Sequence, residues 1–158
     1  MKYFLVIFIF IISNNSFAYQ IQCSFEEVYP NGEIQNGLMY YQNKKRLRYQ
    51  YNNQNLYTLI YKNDTLFIIQ NNNPKIYEIL KEESLIKDLM LIMNDYPSFQ
   101  NSYLFKDKEI KFEKNESSQF IKRLVIKSLK LNMSIYFNDC KEKEISNQLF
   151  NVTTFQRN

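Results

Sequence analysis

Along most of this chain, apolar and polar side chains alternate one for one, the period of a strand with one face in a core. Ile21, Cys23 and Phe25 alternate with Gln22, Ser24 and Glu26. Pro30-Asn31-Gly32 reads as a turn, because each residue favours a turn conformation. A second strand is predicted over 33–42 and a third over 46–51, joined by the polar Asn43-Lys44-Lys45 at hairpin length. A fourth is predicted over 56–61 and a fifth over 65–70, around the turn Lys62-Asn63-Asp64. Asn71-Asn72-Asn73-Pro74 then turns the chain into a sixth, over 75–79. Short strands joined in this way predict an antiparallel meander.

The period changes after position 80. Between Glu82 and Asn94, Leu85, Leu89, Ile92 and Met93 share one helical face, with Ile86 and Met90 beside them. Glu82 and Glu83 would occupy the first turn, where the helix dipole favours anions. Pro97 closes the segment. Its wide face of Leu and Met suits ordinary core packing, and that reading outweighs the sharper one. The sharper one is an adaptable wall for variable apolar ligands, for which flexible methionine is suited.

Strand period then returns over 103–105 and 109–113, around Lys106-Asp107-Lys108, with a polar loop over 115–118. The segment 120–137 carries the clearest alternation, with Leu129, Leu131, Met133, Ile135 and Phe137 on one face. Residues 145–152 either return as a last short strand or dock as a tail. Strands two, four and five are apolar on both faces, for example Leu38 and Tyr40 against Met39 and Tyr41. A sheet of this kind curls. The expected fold class is therefore mainly β with helices (α+β). It is a strongly curved antiparallel sheet, or incomplete β-barrel, closed by an amphipathic helical lid over an apolar space.

The first eighteen residues add the compartment. Lys2 precedes the apolar run Phe4 to Ile12, and Ser16-Phe17-Ala18 offers small residues at a cleavage site. That is the pattern of a secretory signal peptide cut after Ala18, and the run is too short to span a bilayer. The signal peptide is thus expected over 1–18 and a single domain over 19–158, with residence in the periplasm. Two cysteines in an exported chain, Cys23 and Cys140, are most simply a disulfide. The alternative is two separate buried thiols. Lipidation of Cys23 does not fit Gln20-Ile21-Gln22, which lacks the small residues that such a site needs.

Composition excludes several chemistries. With no His in the chain, neither a His-based hydrolytic triad nor a His zinc site can be built. Two Gly in all leave no Gly-rich phosphate loop. Neither Glu26-Glu27 nor Glu82-Glu83 is spaced as a general acid/base pair, since neighbours diverge on a strand or a helix. No enzyme, cofactor or metal is expected. The stretch "GLMYYQNKKRLRYQY" interleaves tyrosines with cations, as single-strand nucleic-acid platforms do. Its cations gather on a turn, though, and its tyrosines alternate as strand walls, so a hairpin is expected and no nucleic-acid partner.

The order of these segments resembles the LolA family, periplasmic carriers of outer-membrane lipoproteins. The resemblance runs through a first strand "IQCSF", then "NGLMYYQNKKRLRYQY", then "LYTLIYKNDTLFIIQNNNPKIYEI", an amphipathic helix, and the closing "ISNQLFNV". Gly37 opening the second strand, the Lys44-Lys45-Arg46 turn, Arg48-Tyr49 and Leu149-Phe150 correspond to features of that family. The resemblance implies an incomplete barrel whose apolar cavity takes up lipoprotein acyl chains. It implies loading by the inner-membrane ABC release complex LolCDE, delivery to an outer-membrane receptor where one exists, and action as a monomer. On that reading Ile21, Phe25, Leu38, Leu47, Tyr49, Leu59, Leu85, Leu89, Met93, Met133 and Ile135 line the cavity, and Arg48 ties the sheet to the lid through carbonyls. The alternative is a lipid- or lipoprotein-sensing or structural module of the same fold that transfers nothing.

Overall fold

The computed structural model describes residues 19–43, 45–73, 75–80 and 84–152. The proposed signal peptide, Lys44, Pro74, Glu82 and Glu83 lie outside the described residues. Among the described residues, ten strands form one antiparallel sheet: β1 (Gln20–Val28), β2 (Ile34–Gln42), β3 (Arg46–Tyr51), β4 (Tyr57–Lys62), β5 (Thr65–Gln70), β6 (Ile76–Leu80), β7 (Ser102–Phe105), β8 (Lys108–Lys114), β9 (Ile121–Ser128) and β10 (Asn132–Glu142). Their order across the sheet is β6-β5-β4-β3-β2-β1-β10-β9-β8-β7. Each half is a meander, and the pairing of β1 with β10 joins the two. The barrel is not closed, so β6 and β7 are edges. The helix α1 (Leu85–Met93) lies between them in the chain and packs on β3 and β4. It thereby carries the chain from one edge of the sheet to the other across the inner face.

The register sets which side chains share that face. Ile21 lies opposite Tyr41, Cys23 opposite Met39 and Phe25 opposite Gly37. Met39 and Tyr41 face Tyr49 and Leu47, which in turn face Leu59 and Tyr61. In the other half, Phe137 and Ile135 pair with Phe25 and Glu27, and the face continues through Leu124 and Ile126 to Phe112 and Ile110. Apart from Gly37 and Glu27, and with Leu59 half-buried at the margin, these residues and Ile86, Leu89, Met90, Ile92 and Met93 of α1 form one core cluster. Burying each large apolar side chain stabilises by about 1.5–3 kcal/mol before entropy is counted.

The opposite face has its own, smaller cover. Ile60 packs with Ile145 and Phe150, flanked by Tyr40, Phe67, Ile69, Leu149 and Val152. Residues 145–152 therefore dock as a tail, with a 3-10 turn at Asn147–Phe150 capped by Ser146. This revises the reason for the double-sided apolar pattern: the second face of β2, β4 and β5 is apolar because the tail lies on it. The alternation over 120–137 is also broken, because residues 129–131 make the β9–β10 turn. Leu129 there is fully exposed, so a run of alternating residues is no strand where the chain must reverse.

Two positions hold the sheet at its centre. Cys23 and Cys140 form a disulfide, with an S–S distance of 2.03 Å, at the bulge where the β1–β10 register shifts between Gln22 and Ser24. Gly37 sits within β2 rather than at its opening. A Cβ there would strike the Gln50 carbonyl and lie 2.6 Å from Cζ of Phe25, so the Phe25 ring occupies the space that a side chain would take. The β4–β5 turn uses left-handed backbone at Asn63 (φ 50°) and Asp64 (φ 58°), residue types that tolerate it.

Two outcomes are expected in urea unfolding. Replacing both cysteines by serine, over their sequence separation of 117, should cost about 5 kcal/mol by the chain-entropy relation. Gly37→Ala should cost about 2 kcal/mol, because neither backbone nor a stacked ring can yield easily.

Candidate functional site

The inner face under α1 gathers most of the residues that the sequence pattern nominates. Ile21, Phe25, Leu47, Tyr49, Leu89, Met93, Met133 and Ile135 all belong to the core cluster, and the half-buried Leu59 and Leu85 pack against it. Leu38 does not. It alternates with the inward Met39 and points to the other side of β2, where its pairing partner is Gln50. The physical reason is parity: in a strand paired on both sides, one step in sequence inverts the face.

The interior is filled. Ile21, Met39, Leu47, Ile92, Ile110, Leu124 and Ile126 are 0% exposed, so no water-sized space touches them. A ligand therefore enters this region only where packed side chains or α1 give way. The helix is apolar below and polar in few places. Ser84 caps it by accepting from the Lys87 amide at 3.2 Å. Asp88 makes an ion pair with Lys108 at 2.7 Å, tying the helix to the start of β8. At the other end, the Tyr41 hydroxyl bonds Asn94 at 3.1 Å. Burial raises the Asp88 carboxyl above its ordinary value, and the Lys108 ammonium only partly offsets it.

Arg48 is placed differently from the expectation. Its neighbours Leu47 and Tyr49 face α1, so Arg48 points away from it. It does donate to a carbonyl, that of Leu149 at 2.6 Å, and it also donates to Gln50 Oε1 at 2.9 and 3.2 Å. It ties the sheet to the C-terminal tail on the outer face, not to the helix on the inner one. Arg46 donates to Asn147 Oδ1 at 2.7 Å, and Lys62 to the Phe150 carbonyl at 3.0 Å. These cations hold the 3-10 turn by neutral acceptors.

Sequence reasoning passed over the most unusual polar group in the core. Glu27 is 1% exposed and lies on the inner face, at the end of the sheet away from Asn94. Three tyrosine hydroxyls donate to it: Tyr29 at 2.8 Å, Tyr49 at 2.8 Å and Tyr51 at 3.1 Å. Phe25 stacks on Tyr49 with centroids 3.8 Å apart. The phenols satisfy the carboxylate, so that it needs no cation among the described residues. Burial nevertheless raises the Glu27 carboxyl above 4.5, with the three hydrogen bonds pulling the other way. Burial, and then the charge of Glu27, push Tyr49 and Tyr51 upward in turn. The signal was available: Glu27 continues the apolar parity of Ile21, Cys23 and Phe25, and adjacency to Glu26 drew attention from it. Among the described residues, no group of three or more His, Cys, Asp or Glu is placed to hold a metal, and no helix is long and apolar enough to cross a membrane.

No family model matches this chain, and no curated protein matches it. Among solved structures, it is similar to the crystal structure of a LolA superfamily protein from Nitrosomonas europaea, with a TM-score of 0.40 and 8% identity over 85% of this chain and 90% of that chain.

The Glu27 cluster yields a signed pH dependence. Its folded value is raised, so its contribution to stability is complete below about 4.5 and is lost as pH rises through the folded value. Glu27→Gln should match the parent near pH 4 and gain on it progressively toward neutrality. Tyr49→Phe should lose about 1–3 kcal/mol at neutral pH, because a buried carboxylate then lacks a donor. Chemical denaturation across pH checks both.

Proposed function

We propose that this chain is a cell-envelope carrier for acyl chains, taking them up on the inner face of the sheet when α1 lifts. The observation that carries this reading is α1 itself. A short Leu- and Met-rich helix, fixed by few polar contacts, covers the apolar centre of an open sheet between its two edges. Lifting it exposes a broad apolar surface at a cost that burial of a chain repays, at roughly 0.8 kcal/mol per methylene. The leader-like first eighteen residues and the disulfide suit an oxidising compartment, the periplasm.

The resemblance of the segment order to the LolA family supports a finer form of this reading. In it, the chains belong to lipoproteins, loading comes from an inner-membrane ABC release complex such as LolCDE, and delivery is to the outer membrane. One observation favours a second reading. The interior is filled, with its central side chains 0% exposed, which also suits a module that recognises a lipid or protein and transfers nothing.

The two readings separate by experiment. With an environment-sensitive fatty-acid probe, the carrier gives fluorescence enhancement. Asp88→Asn, which removes the ion pair to Lys108, should then speed uptake by about fivefold or more. A second measurement is depletion of the protein in its host: a carrier leaves lipoproteins stranded at the inner membrane. No probe enhancement in either protein, with normal lipoprotein traffic on depletion, sinks the carrier reading and leaves the sensing module.

A further inference from the structure

Two large apolar side chains stand clear of the fold, and both lie at the same end of the sheet. Leu129, in the β9–β10 turn, is 103% exposed, and Leu104, on the edge strand β7, is 82% exposed. No other large apolar side chain among the described residues passes 54%. The register places the two together. Phe105 pairs with Lys108 and Lys108 with Ser128, so the β7–β8 and β9–β10 turns are neighbours. Leu104, Glu109 and Lys127 form one row on the outer face, about 10 Å long at two strand spacings. One exposed leucine is ordinary surface, but the two most exposed at one end mark a contact.

The exposure of Leu129 is built in. The Ser128 hydroxyl accepts from the amides of Lys130 at 3.2 Å and Leu131 at 2.8 Å, and donates to the Leu131 carbonyl at 3.1 Å. The Ser128 amide donates to the same carbonyl at 3.0 Å. A turn closed in this way holds its tip leucine outward, while the half-buried Leu131 packs against the core. Lys127 and Lys130 flank the tip. Both are exposed, and neither makes an ion pair among the described residues. The segment 127–132 holds no carboxylate. The carboxylates of the β7–β8 hairpin end are Asp107, 3.7 Å from the Lys108 ammonium, and the half-buried Glu109. Leu91 of α1, 47% exposed, lines a cleft of about 190 Å³ with Phe105 and Lys106, so the helix meets this same end.

An apolar tip with cations at its base matches the boundary of an anionic bilayer, where leucine enters the acyl region and ammonium groups stay among the phosphates. We infer that this end of the sheet docks on an anionic bilayer surface, with Leu129 and Leu104 inserted and Lys127 and Lys130 on the lipid phosphates. Two leucines and two lysines make the docking weak and reversible. The inference goes beyond the carrier reading and holds equally for a module that transfers nothing.

The test is cosedimentation of the exported, disulfide-intact protein with vesicles of equimolar phosphatidylglycerol and phosphatidylcholine, against phosphatidylcholine alone. Two lysines, at roughly fivefold each, should make binding to the anionic vesicles about 25-fold tighter, and the gap should shrink as salt is added. Lys127→Ala with Lys130→Ala should erase most of that gap. Leu129→Ser should weaken binding to both vesicles about tenfold. Lys141→Glu, at an exposed position near the other end of β10, lies about 30 Å away, beyond a Debye length, and should change binding less than about twofold. Far-UV circular dichroism checks that each variant is folded. No binding to the anionic vesicles, equal binding to both kinds, or binding that neither the lysine pair nor Leu129→Ser changes overturns the docking surface. A dimer in solution that Leu129→Ser dissociates overturns it too, because the tip is then a contact with a second copy of the chain.

Discussion

A ten-stranded sheet with apolar side chains on both faces has two surfaces to hide from water and little chain left to hide them. The rest of this structure follows from how that is solved. The inner face curls around α1, and the outer face of β2–β5 is covered by residues 145–152. Curvature lets one nine-residue helix serve strands from both halves of the sheet. Because each cover is small, each is supplemented by a few directed polar contacts. Asp88 and Lys108 serve the helix, and Arg46, Arg48 and Lys62 serve the tail.

The centre of the sheet is where the halves must not separate. The β1–β10 pair is where the two meanders are hydrogen-bonded to each other in the described sheet, and it bears the Cys23–Cys140 bridge. Beside it, Phe25 lies over Gly37 and stacks on Tyr49, whose hydroxyl reaches Glu27. Side chains from β1, β2 and β3 thus lock one another through a ring, a missing side chain and a buried carboxylate. A partly satisfied network there would cost more than an apolar one, and the three phenols are what make it tolerable.

Much of the strand order was legible because alternation is a local signal. The third and fifth strands, 46–51 and 65–70, match the pattern residue for residue. Most others differ by one or two residues at their ends, where fraying and turn geometry decide, but β10 runs on to Glu142, five residues past the expected end at Phe137. The helix was legible by period, though the structure begins it at Leu85 behind the Ser84 cap. Leu38 and Arg48 were misplaced because face assignment needs the register, not only the period. Leu129 was misplaced because alternation alone does not reveal a reversal.

The sequence by itself determined the class of element, the apolar parity of each strand and the two cysteines available for bridging. Those depend on side-chain type and local spacing, and physics acts on them locally. Only the tertiary structure decided which parity faces α1, that the tail covers the outer face, and that Arg48 serves the tail. It alone brought Tyr49 and Tyr51 onto Glu27. Such meetings depend on long-range pairing, where residues more than twenty positions apart come into contact only after the sheet has chosen its register.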